Sequence, residues 1–475
     1  MKFKLVSLFL LMFCITASAQ NGVVVGEKFD FDSKYEQDPQ LVLKDNYNHY
    51  LFTVTNRDGM LANHHIVLRK FDQKNQLVDT YSQDFAINMF TLHNYLGAYE
   101  LSNDKLVVFI NSYSNKTNKT ELFQYVFDKT TGKFTATVIA SYPIASLSKS
   151  GNFSISKSEN NQYFGMVYQK YGTKKDPEES DCTLLNAKTL DVVWKKTVSF
   201  TDEFYTTDAI ITNTGKIVFL RNPRSYKETN YLSVIDGQGQ EKKTFEENTK
   251  VYRPLAISIG TQDYLIAVNY HNKGIRRGDF GSIMFYDLGQ GKMLRNNNID
   301  DFNMVKDIKE VNFRNIFIQN NEIHLFVEGK FQSGTKPSVD FPNSAFTDPK
   351  FNYGPANLLV FSLEGELKQN IKLPINNDTE ADFYHSFGLL NIKGNYFLNT
   401  GWYYKNSNYY YGFNKIDPNN KMNMTSVGLN YNYNNNYSYK SVNQLVAYFI
   451  DSNKLLFGRM YGADKMFFVS MPLPQ

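Results

Sequence analysis

The sequence predicts an all-β protein, a single β-propeller of eight four-stranded blades. A hairpin-like turn recurs at intervals of 50 to 75 residues, short apolar strand-like runs fill the segments between these turns, and another such run precedes the first full repeat. Repeats of this length, each made of short strands, are typical of stacked four-stranded sheets. An α/β fold is excluded because no helical period of about 10–15 residues lies between the strands.

The recurring turn has the chemistry of a tight hairpin. Each copy follows an apolar residue, begins with Asp, Asn or Ser, and continues with turn-forming residues. The seven first residues are Asp72, Asp128, Asn186, Asp236, Asp287, Ser362 and Asp417. A side-chain oxygen at this position accepts hydrogen bonds from the backbone N–H groups that follow, and a later Gly or Asn adopts positive φ. We therefore interpret these residues as turn formers, not as metal ligands or catalytic acids.

The N-terminal run of the chain can supply the strand that the last repeat lacks. The run 23–31 resembles an isolated strand, and the last repeat, roughly 441–475, contains three strand-like runs where a blade needs four. We expect the N-terminal strand to complete the last blade and close the ring, which removes an open sheet edge. This count gives eight blades, and seven is the alternative if one repeat is irregular.

The strands and connections within a repeat differ in character. The second strand is the most apolar, as at 106–110 and 217–220, which predicts burial on both faces. The turn before it is short, whereas the connection after it is long. The long connections are 111–120, 169–181, 221–229, 269–281 and 329–355. In a propeller these connections leave from one face, and loops carry function more often than the scaffold does.

The first residues look like a secretory signal peptide. Lys2 and Lys4 precede an apolar run at 5–15, and Ala17-Ser18-Ala19 offers a cleavage site. We therefore expect residues 1–19 to be a signal peptide and 20–475 to be the propeller, with a long loop insertion at about 329–355. No later segment approaches 18 uninterrupted apolar residues, so the mature chain is not expected to span a membrane. Without Cys14 only Cys182 remains, which excludes an intramolecular disulfide.

Composition argues against several classes of function. A net charge of +4 is not the footprint of a nucleic-acid-binding protein. The only close histidine pair, His64-His65, would point to opposite faces of a strand, and no H-x-x-x-H or C-x-x-C spacing occurs. The adjacent acids at 178–179 and 300–301 are interpreted as solvated surface. The sequence therefore predicts no catalytic residue, no metal and no cofactor.

Two groups of residues in the long connections are candidates for binding a protein partner. Basic and aromatic anchors are enriched at interfaces, and both groups are of these types. They are Arg221, Arg224 and Lys227 in one connection, Arg276 and Arg277 in the next, and Phe341, Phe346, Phe351 and Tyr353 in the insertion. The alternatives are ordinary solvated charge for the first group and packing of the insertion on the propeller's own surface for the second.

One repeat resembles a blade of the quinoprotein-like propellers. The segment 186–194, Asn-Ala-Lys-Thr-Leu-Asp-Val-Val-Trp, is similar to the family's blade motif, in which Trp docks between blades. The family's catalytic residues have no match in this chain. The resemblance implies the fold and a docking role for Trp194, and it does not imply a quinone cofactor.

The whole chain resembles extracytoplasmic propeller proteins of the Bacteroidota. The features it shares are a signal segment ending in Ala-Ser-Ala-Gln and repeats rich in Asn, Lys and Tyr. This resemblance implies a periplasmic protein, monomeric on its own, that docks on an outer-membrane complex, such as an accessory, plug-like subunit of the type 9 secretion translocon. The alternatives are a glycan-binding or carbohydrate-active propeller and a quinone- or metal-dependent enzyme.

Overall fold

A computed structural model describes most of the chain after its first 21 residues. The described ranges are 22–31, 36–44, 48–55, 65–85, 91–102, 104–114, 116–146, 149–170, 178–202, 204–223, 229–245, 251–270, 280–298, 310–337, 347–373, 387–405, 408–416, 422–428, 445–449, 453–461 and 464–473. Within these ranges the regular structure is β, and no helix is long and apolar enough to cross a bilayer. The expected signal peptide lies outside them.

Residues 1–86 and 381–475 make up one compact unit, which contains the first and the last two blades. The first blade and the short strands before it are β1 (Val24–Val25), β2 (Phe29–Asp30), β3 (Glu36–Lys44), β4 (His49–Thr55), β5 (His65–Phe71) and β6 (Leu77–Asp84). The second compact unit, residues 87–380, contains blades two to six.

The strands of blades two to six follow one another in chain order. Blade two is β7 (Thr91–Ser102), β8 (Lys105–Ser114), β9 (Lys119–Asp128) and β10 (Lys133–Pro143); blade three is β11 (Asn152–Lys157), β12 (Tyr163–Gln169), β13 (Glu178–Asn186) and β14 (Val192–Phe200). Blade four is β15 (Phe204–Ile211), β16 (Ile217–Pro223), β17 (Tyr231–Ile235) and β18 (Gln240–Thr244). Blade five is β19 (Val251–Ile259), β20 (Gln262–Tyr270), β21 (Phe280–Asp287) and β22 (Lys292–Asn298); blade six is β23 (Glu310–Gln319), β24 (Glu322–Pro337), β25 (Thr347–Ser362) and β26 (Leu367–Lys372).

The last two blades return to the first unit. Blade seven is β27 (Gly388–Ile392), β28 (Asn395–Lys405), β29 (Asn408–Ile416) and β30 (Met422–Gly428), and the last strands are β31 (Val446–Phe449), β32 (Lys454–Tyr461) and β33 (Lys465–Pro472). Every sheet is antiparallel, and in blades one to seven neighbours in the chain are neighbours in the sheet, whereas in the last sheet β1 and β2 lie beside β33. The predicted fold class is confirmed: the protein is an all-β propeller of eight four-stranded blades.

The N-terminal strands complete the last blade, as the sequence predicted. Both β1 and β2 pair with β33, with Val24 opposite Ser470 and Phe29 opposite Met466. Between the two short strands, the Gly26 N–H donates to the carbonyl of Phe468 at 2.8 Å. The two strands therefore act as one interrupted outer strand, which covers the edge of β33.

Apolar layers between consecutive blades form the core. In the second unit, Ile266 and Phe285 of blade five pack with Leu325 and Phe361 of blade six, and each is at most 1% exposed. Because β4 and β16 are buried along their whole length, the inner strands have blades on both faces. This confirms the interpretation of the apolar second strands.

The predicted hairpin chemistry is present at the described turns. The Asp72 carboxylate accepts from the backbone N–H of Lys74 at 2.8 Å, and the Asp236 carboxylate accepts from Gln238 and Gly239. Equivalent bonds form at Asp128, Asn186, Asp287 and Ser362. The seventh turn residue, Asp417, lies outside the described residues.

Two of these hairpins also bond to the outer strand of the preceding blade. In the first unit, the Asn75 amide donates to the carbonyl of Val24 at 3.0 Å. In the second, Asn297 of β22 donates to the carbonyl of Gly365, in the turn of blade six, at 2.9 Å. A turn selected for local chemistry therefore also fixes the spacing of neighbouring blades.

Glycine is required where the closing strand meets the first blade's turn. A Cβ on Gly26 would lie 2.3 Å from the Asn75 carbonyl oxygen. We expect Gly26→Ala to lower the free energy of unfolding by about 1–3 kcal/mol, because the added methyl forces backbone apart at a packed contact. Denaturant unfolding measures this change. Gly239→Ala is the control, because no atom lies within 4 Å of its Cβ position; equal stabilities of the two variants would contradict the account.

Candidate functional site

The blades of the second unit have two unlike ends. At one end, which we call the turn end, the turns between first and second strands bond to one another. The Asn160 N–H donates to the Asn213 side chain at 2.8 Å, and the Thr214 hydroxyl donates to Asp263. Since these turns belong to blades three, four and five, the blades share one orientation. The connections between second and third strands therefore leave from the opposite end, which we call the connection end.

The strands at the connection end are longer than the sequence suggested. β8 continues to Ser114 and β9 begins at Lys119, so the predicted connection 111–120 shrinks to four residues. Likewise β16 continues to Pro223, and the connection predicted to begin at 221 begins after it. The expectation of a long loop at 111–120 is wrong, because polar residues such as Asn111 are buried and paired within the sheet.

The nine predicted partner-binding residues fall into three groups. Arg221 is fully described, and Phe351 and Tyr353 are described in their backbone within β25. The others, Arg224, Lys227, Arg276, Arg277, Phe341 and Phe346, lie outside the described residues. Among the described members, Arg221 lies in β16 of blade four, and Phe351 and Tyr353 lie in β25 of blade six.

Arg221 is not a loop residue on the surface. It lies in β16 with a side chain that is 0% exposed. Its guanidinium contacts the Glu178 carboxylate at 2.6 Å and the Asp202 carboxylate at 3.0 Å. The expectation that this guanidinium is offered directly to a partner is therefore wrong, because two carboxylates already hold it inside the protein.

The guanidinium of Arg221 also has hydrogen-bond acceptors and an aromatic ring beside it. It donates to the Thr206 hydroxyl at 2.8 Å and to the Phe204 carbonyl at 2.9 Å. The Phe200 ring centroid lies 3.8 Å from its central carbon, which is cation–π geometry. Since Glu178 and Phe200 belong to blade three and Arg221 to blade four, this cluster joins the two blades at the connection end.

The pKa of Asp202 reflects its contacts with Arg221 and Tyr231. Burial raises the pKa of the Asp202 carboxyl, but hydrogen bonds from Tyr231 and Arg221 outweigh burial and leave that pKa below its ordinary value. Burial, together with the hydrogen bond to Asp202, raises the pKa of Tyr231 to about 12. Asp202 is therefore an ionised partner of Arg221 at neutral pH.

Sequence reasoning missed the role of Glu178. The pair Glu178-Glu179 was interpreted as solvated surface, which is correct only for Glu179, exposed beside Lys170. The Glu178 side chain is 17% exposed and also accepts from the Thr206 hydroxyl at 2.6 Å. The available signal was its place as the first residue of a strand, where alternation puts it on the same face as the buried Ser180 and Cys182.

The predicted loop insertion 329–355 is mainly a hairpin. β24 and β25 have 16 residues each, and they pair from Glu322 with Ser362 out to Pro337 with Thr347. The flanking strands stop earlier, because β23 ends its pairing at Lys330 and β26 at Asn357. Residues 331–337 and 347–353 therefore form a two-stranded extension of blade six at the connection end, which we call the ribbon.

Two predicted aromatic residues share one face of the ribbon. Phe351 lies opposite Gln332, and Tyr353 lies opposite Lys330. Since residues two apart in a strand lie on the same face, Phe351 and Tyr353 are together. The expectation that these residues belong to a loop is therefore wrong, because strand pairing continues past both of them, with a register shift on either side.

A second aromatic hairpin, in the first unit, was missed. β28 and β29 pair Trp402 with Tyr411, Tyr403 with Tyr410 and Tyr404 with Tyr409. The signal was visible as two aromatic triplets, 402–404 and 409–411, separated by the turn-forming residues Asn406, Ser407 and Asn408.

The docking role implied for Trp194 is confirmed. Its indole N–H donates to the carbonyl of Gly215 in the next blade at 3.1 Å. A Cβ on Gly237 would lie 3.4 Å from its ring. Trp194 therefore lies between blades three and four at the turn end, as in the resembling blade motif.

Cys182 and His324, two residues of types that often carry catalysis or bind metal, are both buried. Cys182 is buried, and burial raises the pKa of its thiol to about 12, which disfavours the reactive thiolate. His324 is 1% exposed in β24, and burial lowers the pKa of its imidazole. Among the described residues, no group of three His, Cys, Asp or Glu side chains is placed to hold a metal ion.

No protein-family model and no curated protein match the chain. Among the solved structures that it is similar to is acylaminoacyl peptidase in complex with Z-Gly-Gly-Phe-chloromethyl ketone, with a TM-score of 0.40, 12% identity, and coverage of 90% of this chain and 58% of that chain. Another is the β-propeller domain of the Trilobed protease from Pyrococcus furiosus, with a TM-score of 0.37, 12% identity, and coverage of 84% of this chain and 99% of that chain. A third is the Dos1 propeller, with a TM-score of 0.43, 9% identity, and coverage of 94% of both chains. The chain thus spans little more than half of the peptidase. Likeness at this level says nothing of function.

The Arg221 cluster should contribute strongly to stability. Arg221→Met would leave the Glu178 and Asp202 carboxylates without their cation, and removal of one partner from a buried pair costs about 3–5 kcal/mol. We expect a loss of that order in the free energy of unfolding, measured by denaturant titration. The control is Arg295→Met at an exposed position of β22, where a change within about 0.5 kcal/mol is expected. Similar losses in both variants would contradict a special role for Arg221.

Asp202 should make stability depend on acid pH. Because its folded-state pKa lies below the ordinary value, Asp202 stabilises the fold above about pH 4. That stability is lost as the pH falls through the ordinary pKa towards the lowered folded-state pKa. We expect Asp202→Asn to flatten this part of the curve of unfolding free energy against pH. Asp191→Asn, at an exposed turn, should leave the curve unchanged; an unaltered slope in the Asp202 variant would refute the assignment.

Proposed function

We propose that this chain is a non-catalytic protein-interaction propeller of the cell envelope. It docks through the connection end of the second unit on an outer-membrane protein complex. The observation that carries the proposal is the ribbon, which extends strand pairing beyond blade six and bears Phe351 and Tyr353 on one face. A two-stranded hairpin is only marginally stable by itself in water, so a ribbon of this kind gains stability from a surface that covers it.

The Arg221 cluster supports the same proposal in a different way. It ties the end of β16 to the start of β13, and the connections 224–228 and 171–177 adjoin these two strand ends in the sequence. A rigid base reduces the conformational entropy that loops lose on binding. Arg221 is thus a positioning residue in the proposed interface, whereas Arg224, Lys227, Arg276 and Arg277 would contact the partner.

The finer form of the proposal rests on the resemblance to extracytoplasmic Bacteroidota propellers. It makes the protein a periplasmic accessory subunit that plugs or caps a channel of the type 9 secretion translocon. A propeller suits this role because its blades give a broad, rigid platform while connections on one end supply the contacts.

The ribbon provides a direct test. Full-length tagged protein is returned to the native cells, crosslinked, recovered from outer-membrane extract and analysed by mass spectrometry. We expect Phe351→Ser with Tyr353→Ser to reduce recovery of the crosslinked partner at least tenfold, because both changes fall on one face of the ribbon. A matched control, Val192→Ser with Val193→Ser, changes two exposed residues of β14 and should keep the partner.

Two outcomes would overturn the proposal. One is recovery of no outer-membrane protein above the untagged background. The other is full recovery of the same partner by the ribbon variant. Binding on a glycan array, lost in the ribbon variant, would instead favour the glycan-binding alternative.

A further inference from the structure

The outer strand of blade two has an edge unlike those of the other blades. β10 ends its sheet and pairs only with β9 in the described part of the chain. At 11 residues it is longer than β6, β14, β18, β22, β26 or β30. An edge strand presents unpaired backbone N–H and C=O groups along its free side, which can template another strand.

Most of the other outer strands contain charged residues along their length, whereas β10 does not. The charges are Asp79 and Asp84 in β6, Lys195 and Lys196 in β14, Glu241, Lys242 and Lys243 in β18, Lys292 and Arg295 in β22, and Lys368 and Lys372 in β26. In β10 the only charge is Lys133 at its start, and residues 134–143 carry none. β30 is also uncharged but has seven residues. Charges on an edge prevent strand addition, so their absence leaves β10 open to it.

The usable part of this edge is its first half. The register of β10 with β9 shifts between Val138 and Ala140, and a bulge of this kind interrupts regular pairing. Before the bulge, residues 135–138 are all exposed, and Val138 is 45% exposed. The sequence Lys-Phe-Thr-Ala-Thr-Val at 133–138 favours β structure through its aromatic and β-branched residues.

We propose that two copies of this protein associate by antiparallel pairing of these edges. A two-fold axis at Ala136 places Phe134 opposite Val138 and Thr135 opposite Thr137. It places Lys133 opposite Ile139, so like charges never meet. Threonine pairs and aromatic–β-branched pairs across strands are favourable. The same operation on β18 about Lys242 would set two lysines against each other at the axis, a repulsion that β10 does not have.

This association departs from the expectation of a monomer and does not rest on the proposed docking function. Six residues from each chain form an interface below the about 1,200 Å² of stable complexes, so the dimer is weak and depends on concentration. The edge of β10 lies along the flank of blade two, so pairing leaves the connection end uncovered. A dimer would then carry two docking surfaces, which raises avidity for a partner present in several copies.

Sedimentation equilibrium of the full chain from about 1 µM to about 500 µM tests the proposal, because interfaces of this size associate in the micromolar range or more weakly. We expect the average mass to rise towards twice that of one chain. Ala136→Lys sets two charges against each other at the axis and should weaken association at least tenfold. Val193→Lys, at a 51% exposed position of the β14 edge, should leave association unchanged.

A charge exchange distinguishes this pairing from other modes of association. Thr135→Lys with Thr137→Lys, and Thr135→Glu with Thr137→Glu, should each be monomeric alone, whereas an equal mixture should associate. An average mass constant up to the highest concentration overturns the proposal. So does equal association of the Ala136→Lys and Val193→Lys variants, or a mixture that stays monomeric, which would mean that the edge takes a different occupant.

Discussion

Within each unit, packing of one blade's apolar face against the next is the constraint on which the rest of the structure depends. No single four-stranded sheet could bury its apolar residues alone, and layers such as Ile266 and Phe285 against Leu325 and Phe361 are shared by two blades. Burial on both faces makes the second strand of a repeat almost continuously apolar. It also leaves polar residues at strand ends, where each must find a partner within the sheet or the neighbouring blade.

The two ends of the second unit meet this requirement differently. At the turn end, short turns and hairpins bond directly across blades, as Asn160 does with Asn213 and Trp194 with Gly215. At the connection end, blades three and four are joined by a buried ion cluster around Arg221. The hydrogen bonds at the turn end fix blade spacing through backbone geometry. The Arg221 cluster contains buried charges that must be fully paired, so it tolerates few substitutions.

The candidate site illustrates what residue type alone can and cannot indicate. Arg221 was selected because arginine is common at interfaces, yet it is 0% exposed and binds Glu178 and Asp202. Phe351 and Tyr353 were expected in a loop, but their backbone lies in a paired ribbon. In both cases the local sequence was consistent with either state. What decided between them was how far strand pairing continues, which depends on the neighbouring strand.

The sequence by itself determined the blade count, the completion of the last blade by 23–31 and the hairpin chemistry at residues such as Asp236. Each of these follows from short-range rules: turn residues bond their own backbone, and strand runs must be closed by another strand. The tertiary structure alone decided the burial of Arg221, the ribbon of blade six and the uncharged edge of β10. Those features depend on which residues meet across blades and on which strand edges stay uncovered, and neither is encoded in local spacing.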